Sequence, residues 1–219
     1  MSETVGLADM EKARGRLQGH VGRTPLVRSE RLSRLSGGDI YLKLENRQPT
    51  GSFKLRGATN AVLGLSPGEG ERGLVTASTG NHGRALAHAA SARGLTATIC
   101  LSSLVPGNKV RAIRDLGADV RIVGQSQDDA MEEVARLVRE EGMIAIPPFD
   151  DPRIIAGQGT IGLEILDDLP DLDAVLIPLP GGGLAAGIAA AVKAKRPDAK
   201  IIGISMRRGA AMQAGIAAG

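Results

Sequence analysis

The stretch Leu74–Leu101 reads LVTASTGNHGRALAHAASARGLTATICL. Leu74–Ala77 is short, apolar and β-branched. Ser78, Thr79 and Gly80 are small and loop-forming. Asn81–Arg93 is alanine-rich and helical in period, and Gly94 stops it. Thr96–Leu101 is β-prone again. Strand, loop, helix and strand in this order make a βαβ unit, which forces the two strands to run parallel. The same alternation continues on both sides. Upstream, Ile40–Leu44 reads as a strand and Leu55–Leu65 as a helix stopped by Ser66-Pro67-Gly68. Downstream come a helix over Asn108–Leu116, a strand over Asp119–Val123 and a helix over Ser126–Glu141, with Ser126 as N-cap and Gly142 as stop. Then follow a strand at Met143–Ile146, a helix at Gly159–Leu169, a strand at Ala174–Pro178, a helix at Leu184–Lys195 and a strand at Lys200–Ser205. The expected class is α/β, with parallel sheets covered by helices. Ala174–Ile177 is wholly apolar and Ala118–Val123 mostly so, apart from Asp119 and Arg121, and both are predicted to be covered on both faces. Pro147-Pro148 marks the expected crossing between two lobes. Residues 71–146 would form a smaller α/β lobe, inserted in a larger cofactor-binding lobe built from 1–70 and 147–219.

Composition removes several alternatives. The chain has 219 residues and a formal charge of +3, with two Phe, one Tyr and no Trp. A chain so poor in aromatics offers no platform for stacking bases, and it has no basic block, so nucleic acid is not an expected partner. The single cysteine, Cys100, excludes an internal disulfide, and three histidines leave little for a metal site. Met1–Arg16 mixes acids with bases and does not read as a secretory leader. No apolar run reaches membrane-spanning length, so neither a membrane partner nor any compartment but the cytoplasm is expected.

Three loops follow strands and carry chemistry. In Gln48–Gly57, Lys54 stands where a helix begins. The positive end of a helix dipole is a poor place for an ammonium, and burial there would favour the neutral amine that imine chemistry needs. A solvated first-turn lysine is the plainer alternative. In Thr76–Arg84, backbone N–H groups and hydroxyls open a helix and suit a carboxylate or phosphate. An ordinary cap by Ser78 or Asn81, with His82 structural, is the alternative. In Pro178–Gly187, Gly181, Gly182 and Gly183 precede an alanine-rich helix. That is a phosphate cradle in form but not a Walker A loop, because no Gly-Lys-Ser/Thr follows. A flexible turn is its alternative. One lysine and two anion-binding loops together describe a site for a phosphate-bearing aldehyde, pyridoxal 5'-phosphate.

The run Gly51-Ser52-Phe53-Lys54-Leu55-Arg56-Gly57-Ala58 resembles the cofactor-lysine signature of the pyridoxal-phosphate-dependent serine/threonine dehydratases, of fold type II. Ser78-Thr79-Gly80-Asn81-His82 is similar to that family's asparagine loop, and Pro178–Leu184 to its glycine loop. Phe149-Asp150-Asp151 and Gly157-Gln158-Gly159-Thr160 with Glu164 fall in family order. Ser78–Ala85, with Ser205-Met206 and Arg208–Met212, resembles the hydroxyectoine-utilisation dehydratase branch. The resemblance implies that Lys54 holds the cofactor as an imine and moves protons at Cα. It implies that Phe53 packs beside the cofactor and Asn81 bonds the ring's phenolic oxygen. Ser78, Thr79, Gly80 and His82 would receive the substrate carboxylate. Pro180, Gly181, Gly182, Gly183 and Leu184 would surround the phosphate. The implied reaction eliminates water from a small hydroxy amino acid, and hydrolysis of the resulting enamine gives a 2-oxo acid and ammonia, in a full-length protein that is a homo-oligomer, expected as a dimer.

Departures from the family pattern keep other readings open. Pro180 replaces a glycine and has no N–H to offer. Thr79 stands where racemases of the group carry a serine acid/base, which keeps an amino-acid racemase in view. Ser205 stands where some members have a cation-binding glutamate, so no metal is expected. The resemblance ends at Gly219, before the family's C-terminal third. On that reading the larger lobe is incomplete, with an unpaired sheet edge and exposed apolar surface. A truncated, non-catalytic cofactor-binding remnant, poorly active alone, is therefore a further alternative. A nucleotide-binding Rossmann protein fits worst, because the glycine loop follows a late strand.

Overall fold

A computed structural model describes residues 4–78, 80–207 and 210–218. The chain begins with helix α1 (Leu7–Leu17), strand β1 (Leu26–Arg28), helix α2 (Glu30–Ser36) and strand β2 (Tyr41–Lys43). A short 3-10 turn, Glu45–Arg47, leads to helix α3 (Lys54–Leu63). Strands β3 (Leu74–Ala77), β4 (Ala97–Leu101), β5 (Asp119–Ile122) and β6 (Ile144–Ala145) then alternate with helices α4 (Asn81–Ala92), α5 (Gly107–Arg114) and α6 (Gln127–Glu141). The chain continues through α7 (Pro152–Asp168), β7 (Ala174–Pro178), α8 (Gly183–Lys195), β8 (Lys200–Ile204) and α9 (Ala211–Ala218).

The described strands form three sheets. The largest has the order β5-β4-β3-β6 and is parallel throughout. Its side chains alternate between two layers. Leu74, Ile99 and Leu101 pack with α4 and α5 residues such as Leu86 and Ile113. Val75, Ala77 and Cys100 pack on the other side with Ala130, Val134 and Leu137 of α6. The second sheet is β7 with β8, also parallel. The third, β1 with β2, is antiparallel, which departs from the all-parallel expectation. These two strands are only three residues each, and the seven-residue helix α2 between them turns the chain back antiparallel instead of serving as a crossover.

Two further expectations fail. Asp119 and Ile122 of β5 are exposed, and Leu176 of β7 is 62% exposed, so neither apolar strand is covered on both faces. Both lie at sheet edges, where apolar sequence does not guarantee a neighbour. The free side of β7 faces a groove of about 920 Å³ whose opposite wall is β2. Helix α7 starts at Pro152 rather than Gly159: the Asp151 side chain accepts from Arg153 and Ile154 N–H, with Pro152 in the first turn.

Helices α3 and α7 approach closely. A Cβ added to Gly157 would lie 2.7 Å from Gly57 Cα, so both positions need to be bare. A buried ionic cluster locks the same junction. Arg56 donates to both oxygens of Glu45 and both oxygens of Glu164, and Lys43 Nζ lies 2.6 Å from Glu164. Burial opposes the charge on Arg56 and on Glu164, but these bonds prevail, keeping the arginine's pKa raised and the glutamate's lowered. Among the described residues no helix is long and apolar enough to cross a membrane, and no cluster of three metal-ligating side chains forms.

Candidate active site

Lys54 is the first residue of α3, and its backbone N–H bonds the Ser52 hydroxyl at 3.1 Å. Its amine is half-buried and donates to the Pro148 carbonyl at 2.5 Å. The Phe53 and Phe149 rings flank it, with centroids 5.3 and 5.9 Å away. Burial lowers its pKa to about 8, so the amine is still mostly charged at pH 7 but loses its proton far more readily than an exposed lysine.

Helix α4 opens at Asn81, which is exposed. The N-cap is Gly80, without a side-chain cap, rather than Ser78 or Asn81. Ser78 Oγ instead accepts from Gly83 N–H at 3.1 Å and stiffens the loop. His82 is buried, and its Nε2 lies 2.9 Å from the Ile146 carbonyl. That bond makes Nε2 the protonated nitrogen and leaves Nδ1 a bare acceptor without a partner. Burial lowers its pKa to about 4, helped by the charge of Lys54, so the ring is neutral at pH 7. At neutral pH it therefore brings no positive charge to the loop. Thr79 lies outside the described residues, as do Arg208 and Gly209 of the branch signature.

Helix α8 opens at Gly183 with Gly182 as N-cap, φ +84°, and again no side chain caps it. The first N–H groups of this helix stay available to an anion, with the dipole adding attraction. Pro180 is exposed and donates nothing. Phe149 lies against this loop: a Cβ on Gly181 would come within 2.6 Å of its Cδ1, and one on Gly183 within 2.6 Å of its carbonyl oxygen. Phe53, at the lysine, packs with the partly buried residues around Ile161 and Ile188 and lines the groove beside β7.

One segment touches all three loops. The Ile146 carbonyl holds His82, the Pro148 carbonyl holds Lys54, and Phe149 backs Gly181 and Gly183. Sequence reading marks this stretch as a strand end, a crossing between lobes at Pro147-Pro148 and a family-ordered Phe149, but not as an anchor for the loops. It misses the anchoring because the groups used are mostly carbonyls, which every residue type supplies. It misses the Arg56 cluster for a related reason: Glu45 and Glu164 are far apart in sequence, and only the packing of α3 on α7 brings them together.

The chain matches the pyridoxal-phosphate dependent enzyme family over residues 17–219. It is 64% identical over 215 residues to a provisionally named threonine dehydratase of Sinorhizobium fredii, covering 98% of this chain and 65% of that protein. It is 45% identical over 217 residues to L-threonine ammonia-lyase of Thermotoga maritima, covering 94% of this chain and 54% of the relative. Among solved structures it superposes on serine racemase from Dictyostelium discoideum with a TM-score of 0.89 and 35% identity, covering 93% of this chain and 66% of that one. The chain thus spans between about half and two thirds of the length of the two curated relatives.

The chain belongs to the pyridoxal-phosphate dependent enzymes and has their fold type II architecture. Its residues fit that cofactor. A desolvated amine awaits an aldehyde, and an uncapped glycine-rich helix N-terminus, joined to it through Phe149, awaits a phosphate.

Proposed function

We propose that the protein is an ammonia-lyase of the dehydratase type, which converts a small hydroxy amino acid into a 2-oxo acid and ammonia with loss and return of one water. The carrying observation is the desolvated Lys54 amine, tied to the glycine loop by the Pro148–Phe149 segment. The dehydratase and ammonia-lyase names of the two curated relatives support the choice of reaction. Pyridoxal phosphate, when bound, supplies the electron sink that makes the substrate Cα–H acidic. Lys54 would hold the cofactor through its Nζ and move the proton at the substrate Cα. The N–H groups of Gly181, Gly182, Gly183 and Leu184 would hold the phosphate, Phe53 would pack beside the cofactor, and Asn81 would donate to its phenolic oxygen. The loop of Ser78, Thr79, Gly80 and His82 receives the substrate carboxylate at the N-terminus of α4, where the dipole favours an anion. Two lobes, 71–146 against 1–70 with 147–219, and an oligomeric full-length form belong to the same reading.

The test is 2-oxo acid release from L-threonine and L-serine, measured on this chain and on any longer form of it. Release that disappears in Lys54→Ala supports the reading. Absence of release from a folded, cofactor-loaded form overturns it. The similarity to serine racemase, together with the hydroxyl of Thr79, favours racemisation as the second reading. D-amino acid formation without 2-oxo acid, lost in Thr79→Ala, would select it.

A further inference from the structure

We propose that Phe149 is a positioning residue that couples the lysine to the anion loop, because one side chain bears on Lys54 Nζ and on Gly181 together. The inference rests on the reading of Lys54 as the cofactor amine. The chain has two phenylalanines among 219 residues, and both flank this one amine. Burial does not explain Phe149, which is 41% exposed and outside the clusters of buried residues. Its place is explained by what it touches. The ring fills the space a side chain on Gly181 would need, and its backbone does the same for Gly183. The preceding residue supplies the carbonyl that holds the amine. Displacement of the loop by a bound anion is therefore felt at Lys54, and the reverse.

Removing the ring has two opposed effects on the amine. It deletes a cation–π contact that favours the charged form. It also admits water, which favours the charged form in turn. Desolvation is the cause that lowers the Lys54 pKa from 10.5 to about 8, so rehydration outweighs the lost contact and the pKa rises. The charged groups on neighbouring elements do not reverse this. His82 on α4 is neutral, Arg56 on α3 is tied to Glu45 and Glu164, and beside Phe149 itself Asp151 is tied to Arg153 while Asp150 is exposed.

The experiment uses two probes, each reading one side of the coupling. Pyridoxal, which lacks the phosphate, is trapped on Lys54 with cyanoborohydride across roughly pH 6 to 11 and located by peptide mapping. Inorganic phosphate is scored by the thermal protection it gives. Wild type should show capture at Lys54 with half-maximum near its pKa of about 8, together with protection by phosphate. Phe149→Ala should move the capture profile upward by about one unit or more and lose the phosphate protection, while Phe149→Tyr retains both. If Phe149→Ala does not fold, Phe149→Leu is judged by the same two criteria. If Phe149→Ala, or Phe149→Leu in its place, moves only one readout or neither, the coupling is overturned. Failure of wild type to be captured at Lys54 at all overturns the cofactor-amine reading, and the coupling falls with it.

Discussion

Strands β3 and β7 are built from the same kind of sequence, and each delivers a loop and a helix N-terminus to the site. Their surroundings differ sharply. Every residue of β3 is buried, because β4 and β6 pair with it on both edges and helices cover both faces. Strand β7 pairs only with β8 among the described residues, and its other edge opens on the groove facing β2. The asparagine loop is therefore held by its own sheet, through Ser78 N–H to the Cys100 carbonyl at 3.3 Å and Ser78 Oγ to Gly83. The glycine loop has less sheet behind it and depends on Phe149 and on α7 and α8. Identical local grammar can thus yield strands in different surroundings, and the deciding factor is how many neighbours each strand has.

The largest expected effect lies in the covered sheet. Leu101 of β4 is fully buried, and Leu101→Ala should cost about 2–5 kcal/mol in urea or thermal unfolding, the range for a core leucine. A cost near zero would mean that the sheet is not packed as described. Next is the pH response of His82 on the same side. Its pKa is about 4 in the folded protein and 6.5 in the unfolded chain, so the unfolded state takes up the proton first. Its contribution is complete above about pH 6.5 and is lost as pH falls toward about 4, by on the order of 3 kcal/mol. The difference between the pH–stability curves of wild type and His82→Asn should show this loss. Parallel curves would place the imidazole in solvent.

Smaller effects are expected around β7. Gly183→Ala puts a methyl group 2.6 Å from the Phe149 carbonyl, and backbone cannot step aside cheaply. It should cost about 1–3 kcal/mol and abolish phosphate protection. If protection survives, the anion sits elsewhere. Leu176→Ala, on the open strand, should change stability by less than about 0.5 kcal/mol. A larger loss in this chain would show that the groove is filled in solution and would erase the contrast with β3.

Much of this was legible beforehand. Strand–loop–helix alternation located β3, β4, β7, α4 and α8, and the glycine and lysine positions located the loops at their ends. Helix α6 was marked at both ends, by Ser126, whose hydroxyl accepts from Asp129 N–H, and by Gly142, with φ +67°. The N-terminus of α7 was missed because Gly157 and Gly159 argue against helix by propensity. Their reason for being there is tertiary, since α3 and α8 press against them. Strand β2 was read within Ile40–Leu44, but its antiparallel partner β1 was missed because three residues are too few to show a period. The exposure of β7 was missed because an apolar strand reads the same with or without a neighbour. The anchoring by Ile146 and Pro148 left no sequence signal, since a carbonyl's role depends on where the fold carries it.

The central claim is that Lys54 is the amine toward which the three loops converge. Reduction of the pyridoxal-phosphate-loaded protein with borohydride, followed by proteolysis and mass mapping of the trapped adduct, tests it most directly. The account predicts a single adduct on the peptide containing Lys54, absent in Lys54→Ala. An adduct on any other lysine, with the Lys54 peptide unmodified, would contradict it.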